Sequence, residues 1–211
     1  MKTIKSAIFA LLLIVSSVFA QQQKYSWRLD PAHSKVQFTV SHMVISEVTG
    51  SFRKFDAIVA SNKDDLSDAN IEFAIDVNSI DTDNQNRDNH LKSDDFFNAA
   101  KFPKILFKGK SLKKLSNNKY KLYGDFTIRD VTKPITLDVV YGGTVKDMSG
   151  NTRSGFKVSG TINRFDYNLK WNKLLESGGG AVVGKDVNLI CNVEFVKDSA
   201  KDDEAKNEAK R

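Results

Sequence analysis

Beyond its first 20 residues, nearly the whole chain alternates apolar and polar residues with a period of two, a pattern that strands with one apolar face satisfy and helices do not. Val36, Phe38 and Val40 alternate with Gln37, Thr39 and Ser41. Ile71, Phe73, Ile75 and Val77 alternate with Glu72, Ala74 and Asp76. Tyr120, Leu122, Phe126 and Ile128 face away from Lys121, Asp125, Thr127 and Arg129, while Ile135, Leu137, Val139 and Tyr141 face away from Thr136 and Asp138. Phe156, Val158 and Ile162 continue the pattern, with Gly155 and Gly160 suited to bends in a curved sheet. Near the end, Val187, Leu189, Cys191, Val193 and Phe195 share one face.

Nine runs emerge, at 25–30, 35–42, 52–60, 70–77, 104–109, 119–129, 135–142, 154–163 and 186–196, and they condense to about eight strands. Turn-rich pieces such as Ser116-Asn117-Asn118, Gly142-Gly143 and Ser149-Gly150-Asn151 join them, with no long amphipathic helix between. The expectation is an all-β antiparallel meander. A sheet of this many strands either packs as two layers or closes on itself, and closure at eight strands leaves a lumen able to hold a ligand. Two segments break the pattern. Asp83 to Asn98 is polar, helix-compatible and ends in Phe96-Phe97, which suits a short helix or lid across the barrel; Asn168 to Gly184 is a second long connection.

The N-terminus reads as a cleavable export signal, residues 1–20: Lys2 and Lys5 precede the apolar Ala7 to Val15, and Val18 and Ala20 occupy the positions that a signal peptidase recognises. That apolar run is too short to span a bilayer. Residues 21–196 then form one β-sheet domain, and 197–211, a mixture of acids and bases without large apolar side chains, a charged tail that cannot fold alone. The expected location is the periplasm, with secretion as the alternative. A single cysteine, Cys191, excludes an internal disulfide and any cysteine-rich metal centre. Its place on an apolar face suits burial as a small hydrophobe. Thirty-two basic and 26 acidic residues are mixed along the chain, without the basic stripe that nucleic acid requires.

Six stretches carry a resemblance to a known family: WRLDPAHSKVQFTVSHM from 27, VTGSF at 48–52, SIDTDNQNRDNHLKSDDFFNAAKFPKILFKG at 79–109, GDFTIRDVTKPITLDV at 124–139, INRFDYNLKWN at 162–172 and VGKDVNLICNVEF at 183–195. In that order the chain resembles the YceI-like family of periplasmic polyisoprenoid-binding proteins. One departure is Asp130, where the family usually has glycine. The resemblance implies an eight-stranded antiparallel lipocalin-like barrel around an apolar pore that holds the isoprenoid chain of a quinone or polyprenyl lipid.

A long isoprenoid tail needs a dry tunnel with many apolar contacts and few polar ones. The candidate wall is Phe38, Val40, Phe73, Ile75, Phe126, Ile128, Leu137, Val139, Phe156, Val158, Leu189, Cys191 and Val193, each of which could equally be ordinary core. Candidates for the head group are His42, Arg87, Asp88, His90 and Lys92, with Trp171 and Asn172 from the second connection. The plainer role for Arg87 and Asp88 is to fasten the lid to the barrel. No covalent cofactor, metal or catalysis is expected. Partners are the lipid and, transiently, a membrane surface, with a homodimer left open. The rivals are an envelope or stress-response interaction module without a stoichiometric lipid, and a metal or haem protein using His33, His42 and His90. A hydrolase built on Asp30, His33 and Ser34 fails on spacing, because such close residues rarely converge as nucleophile, base and orienter.

Overall fold

The computed structural model describes residues 25–62, 68–176 and 180–198. The expected export segment 1–20 and the tail beyond Asp198 lie outside them. Eleven strand segments and one α-helix follow in order: β1 (Tyr25–Leu29), β2 (Lys35–His42), β3 (Ser46–Phe52), β4 (Phe55–Ser61), β5 (Asn70–Asp76), β6 (Ile80–Asp81), α1 (Gln85–Lys92), β7 (Lys104–Ser116), β8 (Lys119–Ile128), β9 (Val131–Lys146), β10 (Thr152–Asn163) and β11 (Val183–Lys197). All pairings between them are antiparallel.

The eleven segments act as eight staves. β1 and β2 both pair with β11, β3 and β4 pair with β2 and β1 respectively, and β6 and β5 pair with β3 and β4, so three adjacent staves are each broken once. The breaks fall at one level. Pro31, which has no N–H to give, starts the single 3-10 turn between β1 and β2, and Asp30 caps it by accepting from Ala32 N–H at 3.0 Å. Arg53 N–H donates to Ser79 O at 3.0 Å and Asp76 N–H to Lys54 O at 2.9 Å, so the kinked backbone stays satisfied. The ring then runs through β7, β8, β9, β10 and β11, and the pairs Trp27 with Lys197 and Leu29 with Phe195 close it onto β1. This is the eight-stranded antiparallel barrel that the family resemblance implied, with the short helix expected within 83–98.

Several runs are longer than their alternation suggested. β7 continues to Ser116 past Gly109 through a register shift, and β9 starts at Val131 although Pro134 lies within it. Pro134 is tolerated because pairing between β9 and β10 begins only at Asp138, so no partner awaits its missing N–H on that side. The tight turn between β8 and β9 has its left-handed residue at Arg129 (φ 54°), not at Asp130, so the aspartate sits without the strain that a glycine position would impose.

Inward positions form two adjoining apolar clusters around the barrel interior. Val36, Phe52, Ile75, Ile105, Phe107, Leu122, Phe126, Leu137 and Ile162 are buried at the lidded end and middle, and Trp27, Leu29, Val59, Val193 and Phe195 pack toward the other end. The alternate residues Glu72, Lys108, Asp138, Lys157 and Asn192 are exposed on the outside. Polar outside and apolar inside is the reverse of a transmembrane barrel with an aqueous pore.

Candidate functional site

The barrel interior is a cavity rather than a filled core. A water-sized sphere can sweep about 220 Å³ of it, and almost every atom facing it is apolar. All thirteen residues of the candidate wall line it, from Phe38 and Val40 on β2 round to Leu189, Cys191 and Val193 on β11. Alternation also carried further lining residues that the candidate wall omitted, including Ile71, Leu122, Ile135 and Val187. Phe96, Phe97 and Leu91 line it from the lid, where no period-two pattern exists to reveal them.

Burial shows which wall residues face open space. Ile75, Ile128 and Val139 are covered, whereas Phe38, Phe73, Phe156, Val158 and Leu189 keep part of their surface free. Cys191 combines both properties. Its thiol lies deep enough for burial to push its pKa up to about 12, yet part of the residue's surface stays free where it lines the cavity. Glycines shape that void: Gly50 lies opposite Phe38 in register, and the Phe38 ring occupies the place where a Cβ at Gly50 would stand.

At one end sits the lid. Asn84 caps α1 by accepting from Arg87 N–H at 3.0 Å. Asp88, buried, accepts from Thr82 N–H at 2.9 Å and Thr82 Oγ1 at 2.6 Å, while Arg87 donates through Nε to Thr82 Oγ1 and through its terminal nitrogen to Thr82 O. These bonds fasten the helix to the end of β6. None of His42, Arg87, Asp88, His90, Lys92, Trp171 and Asn172 lines the cavity. His42 is paired in the sheet with Ser46 and Val183, and Lys92 and Asn172 lie outside the cavity at the lid and the second connection. His90 and Trp171 do meet: His90, Phe96 and Trp171 form an aromatic trio with ring centroids 5.0 to 5.4 Å apart.

Two arginines that the sequence did not single out hold this end together. Arg164, 2% exposed, donates to Gly184 O, Leu169 O, Trp171 O and Val183 O at 2.7 to 3.1 Å, so four carbonyls replace the water it has lost. Burial lowers its pKa, and no carboxylate pairs with it among the described residues. Arg129 donates to Phe96 O at 2.9 Å, Asn168 O at 3.1 Å and Asp94 O at 3.2 Å, and so ties the lid to the second connection.

Among the described residues, Asp30, His33 and Glu194 come close enough to hold a metal, but Arg153 already donates to Asp30 and Glu194 at 2.6 Å each. A cation therefore occupies the centre of that group. Ser34 Oγ accepts from Glu194 N–H at 3.0 Å, which commits the third residue type of a hydrolytic triad to the backbone.

The profile of the YceI-like domain matches residues 27–195. A UPF0312 protein of Staphylococcus aureus strain N315 is 40% identical over 171 residues, which cover 81% of this chain and 96% of that one. The crystal structure of the Campylobacter jejuni YCEI protein is 33% identical, with a TM-score of 0.61 over 75% of this chain and 90% of that one. A polyisoprenoid binding domain from Saccharophagus degradans shares the fold with a TM-score of 0.60 at 16% identity, over 82% of this chain and 99% of that one.

Proposed function

The chain belongs to the YceI-like family, and from that premise we propose that it is a non-catalytic binding protein that holds the isoprenoid tail of a quinone or polyprenyl lipid inside its barrel. One observation carries the proposal: the cavity runs the length of the barrel, from Phe97 at the lid to Trp27 at the other end, and almost all of its surface is apolar. Such a space suits an apolar chain. The Saccharophagus degradans domain, described as polyisoprenoid binding, adds support through its shared fold. The export signal expected in residues 1–20 supports a periplasmic site of action, where the protein would exchange its lipid with a membrane surface.

Energetics favour a carrier or buffer over a permanent store. At about 0.8 kcal/mol per buried CH₂, one isoprene unit gains roughly 3 to 4 kcal/mol on leaving water. Several units in sum would exceed any known net affinity. In a cell the tail leaves a bilayer instead, where it is already out of water, so the net gain is small and exchange is reversible.

The test is organic extraction and mass spectrometry of protein purified without detergent, beside an equal amount of an unrelated exported protein. A near-stoichiometric isoprenoid lipid is the expected result and identifies the head group. Absence of any such lipid, together with failure of added isoprenoids to bind, would leave an envelope interaction module as the better reading.

A further inference from the structure

Beside the lid, outside the apolar cavity, lies a second depression of opposite character. A water-sized sphere sweeps about 530 Å³ of this open cup, whose wall includes Lys101, Arg129, Asp130, Asn168, Lys170 and Trp171. The two adjoin at Leu169, which lines the cavity between the cup residues Asn168 and Lys170, and at an aromatic pair: Phe96 lines the cavity, Trp171 lines the cup, and their rings are 5.4 Å apart.

The hydrogen-bond inventory of the cup is lopsided. Its carboxylates already have donors: Asp94 accepts from Asn98 and Arg129, Asp95 lies 2.9 Å from His90 Nε2, and Asp130 accepts from Asn168 Nδ2 at 3.3 Å. Asp130 is held below the usual carboxylate range by that amide and its own backbone N–H, with the charges of Arg129 and Lys101 adding to the effect. The donors are less well served. Arg129 Nε is buried without a partner, and neither Lys101 nor Lys170 forms an ion pair among the described residues. A buried N–H without an acceptor is costly and uncommon, and the residue that carries it is part of the cup's wall.

We propose that this cup is the head-group site of the lipid: acceptor oxygens of a phosphoryl or carbonyl head bind Arg129, Lys101 and Lys170 while the tail passes the Phe96–Trp171 pair into the barrel. The proposal rests on the tail-binding reading above and adds to it the place and chemistry of the head. It explains why the cavity itself offers almost no polar atom.

The test uses three probes with matched tails, farnesyl monophosphate, a quinone with a farnesyl-length tail, and the headless hydrocarbon farnesene, titrated into delipidated protein and followed by native mass spectrometry. Lys101 and Lys170 are both exposed, so K101A/K170A leaves the barrel packing alone. The expected result is tighter binding of a headed probe than of farnesene to the unaltered protein. The double substitution should weaken a headed probe about five- to tenfold and leave farnesene unchanged. A loss confined to the monophosphate assigns phosphoryl oxygens, a loss confined to the quinone assigns carbonyls, and loss of both assigns acceptor oxygens generally. Equal losses for headed and headless probes, or no loss at all, overturn the cup as the head site while the tunnel stands. Failure of all three probes to bind the unaltered protein overturns the tail-binding reading, and this proposal with it.

Discussion

Cys191 is a chemical reporter placed in the cavity wall, between Val158 on β10 and Val36 on β2. With its pKa raised to about 12, the thiolate that alkylating reagents attack is scarce near neutrality. At pH 8 a small uncharged alkylating reagent should therefore react about a thousandfold more slowly than with a free cysteine. Loading the barrel with lipid should slow it further, as read by intact mass over time. Identical rates for empty and loaded protein would mean that the tail does not pass Cys191. Gly50 makes a complementary point about shape. A methyl group there meets the Phe38 ring and approaches Thr82 Cγ2 to 2.8 Å, so Gly50→Ala should push Phe38 into the lumen. The expected cost is about 1 to 3 kcal/mol in urea unfolding, with reduced lipid retention. The residue that sequence patterning could not value was Arg164. Its importance depends on four carbonyls from two separate segments, 169–171 and 183–184, and no local spacing encodes that convergence.

At the scale of elements, the Arg153 cluster joins the turn after β1, the β9–β10 hairpin and β11. Its guanidinium meets Asp30, Asp147 and Glu194 at 2.6 Å each. Arg153, and then His33, lower the Asp30 pKa to about 2 from an ordinary value near 3.8, and Arg153 likewise depresses Asp147. A depressed carboxyl stabilises the fold above its unfolded pKa, and that stability is lost as pH falls toward the folded value. Urea midpoints should therefore drop between about pH 4 and pH 2 in the unaltered protein. Arg153→Met should lower the midpoint at pH 7 and flatten the slope in that window; an unchanged slope would show that the cluster does not couple to folding. The lid has its own anchor. Asp88→Ala leaves the Thr82 donors unmet and should raise hydrogen exchange across 82–99 while β7 to β11 stay protected. Uniform exchange changes would argue against a lid that opens separately. Most staves were legible because a half-buried strand writes its period into the sequence, as Phe73 and Ile75 do against Glu72 and Asp76, whereas β3, Ser46–Phe52, fell almost wholly outside the nine runs. The short β6, the join of β3 to β4 at Arg53 and Lys54, and the lining role of Phe96 were not, since tertiary hydrogen bonds and contacts decide them. The lid helix itself was visible as a polar interruption.

For the molecule as a whole, a cavity enclosed by the sheet means that ligand and fold share one free energy. A lipid that binds only the native barrel should stabilise it by about 2.7 kcal/mol at a hundred times Kd. In a domain of this size that corresponds to a rise in Tm of about 5 to 10 °C. Extracted protein should melt lower than protein as purified, and readdition of its lipid should restore the difference; identical melting curves would mean that the cavity is not the binding site. The seam between β1 and β11 carries a different consequence, one of timing. Trp27 waits for Lys197, and Leu29 for Phe195. A chain delivered from its N-terminus, whether by a ribosome or through a membrane pore, presents its first strand long before the last one exists. Throughout that interval both edges of the growing sheet are open to other chains, and the greasy inner face has no floor. Loss of the final fifteen or so residues of the sheet would therefore not yield a slightly shorter barrel. It would yield an unzipped one, fit for a chaperone or a protease and for little else.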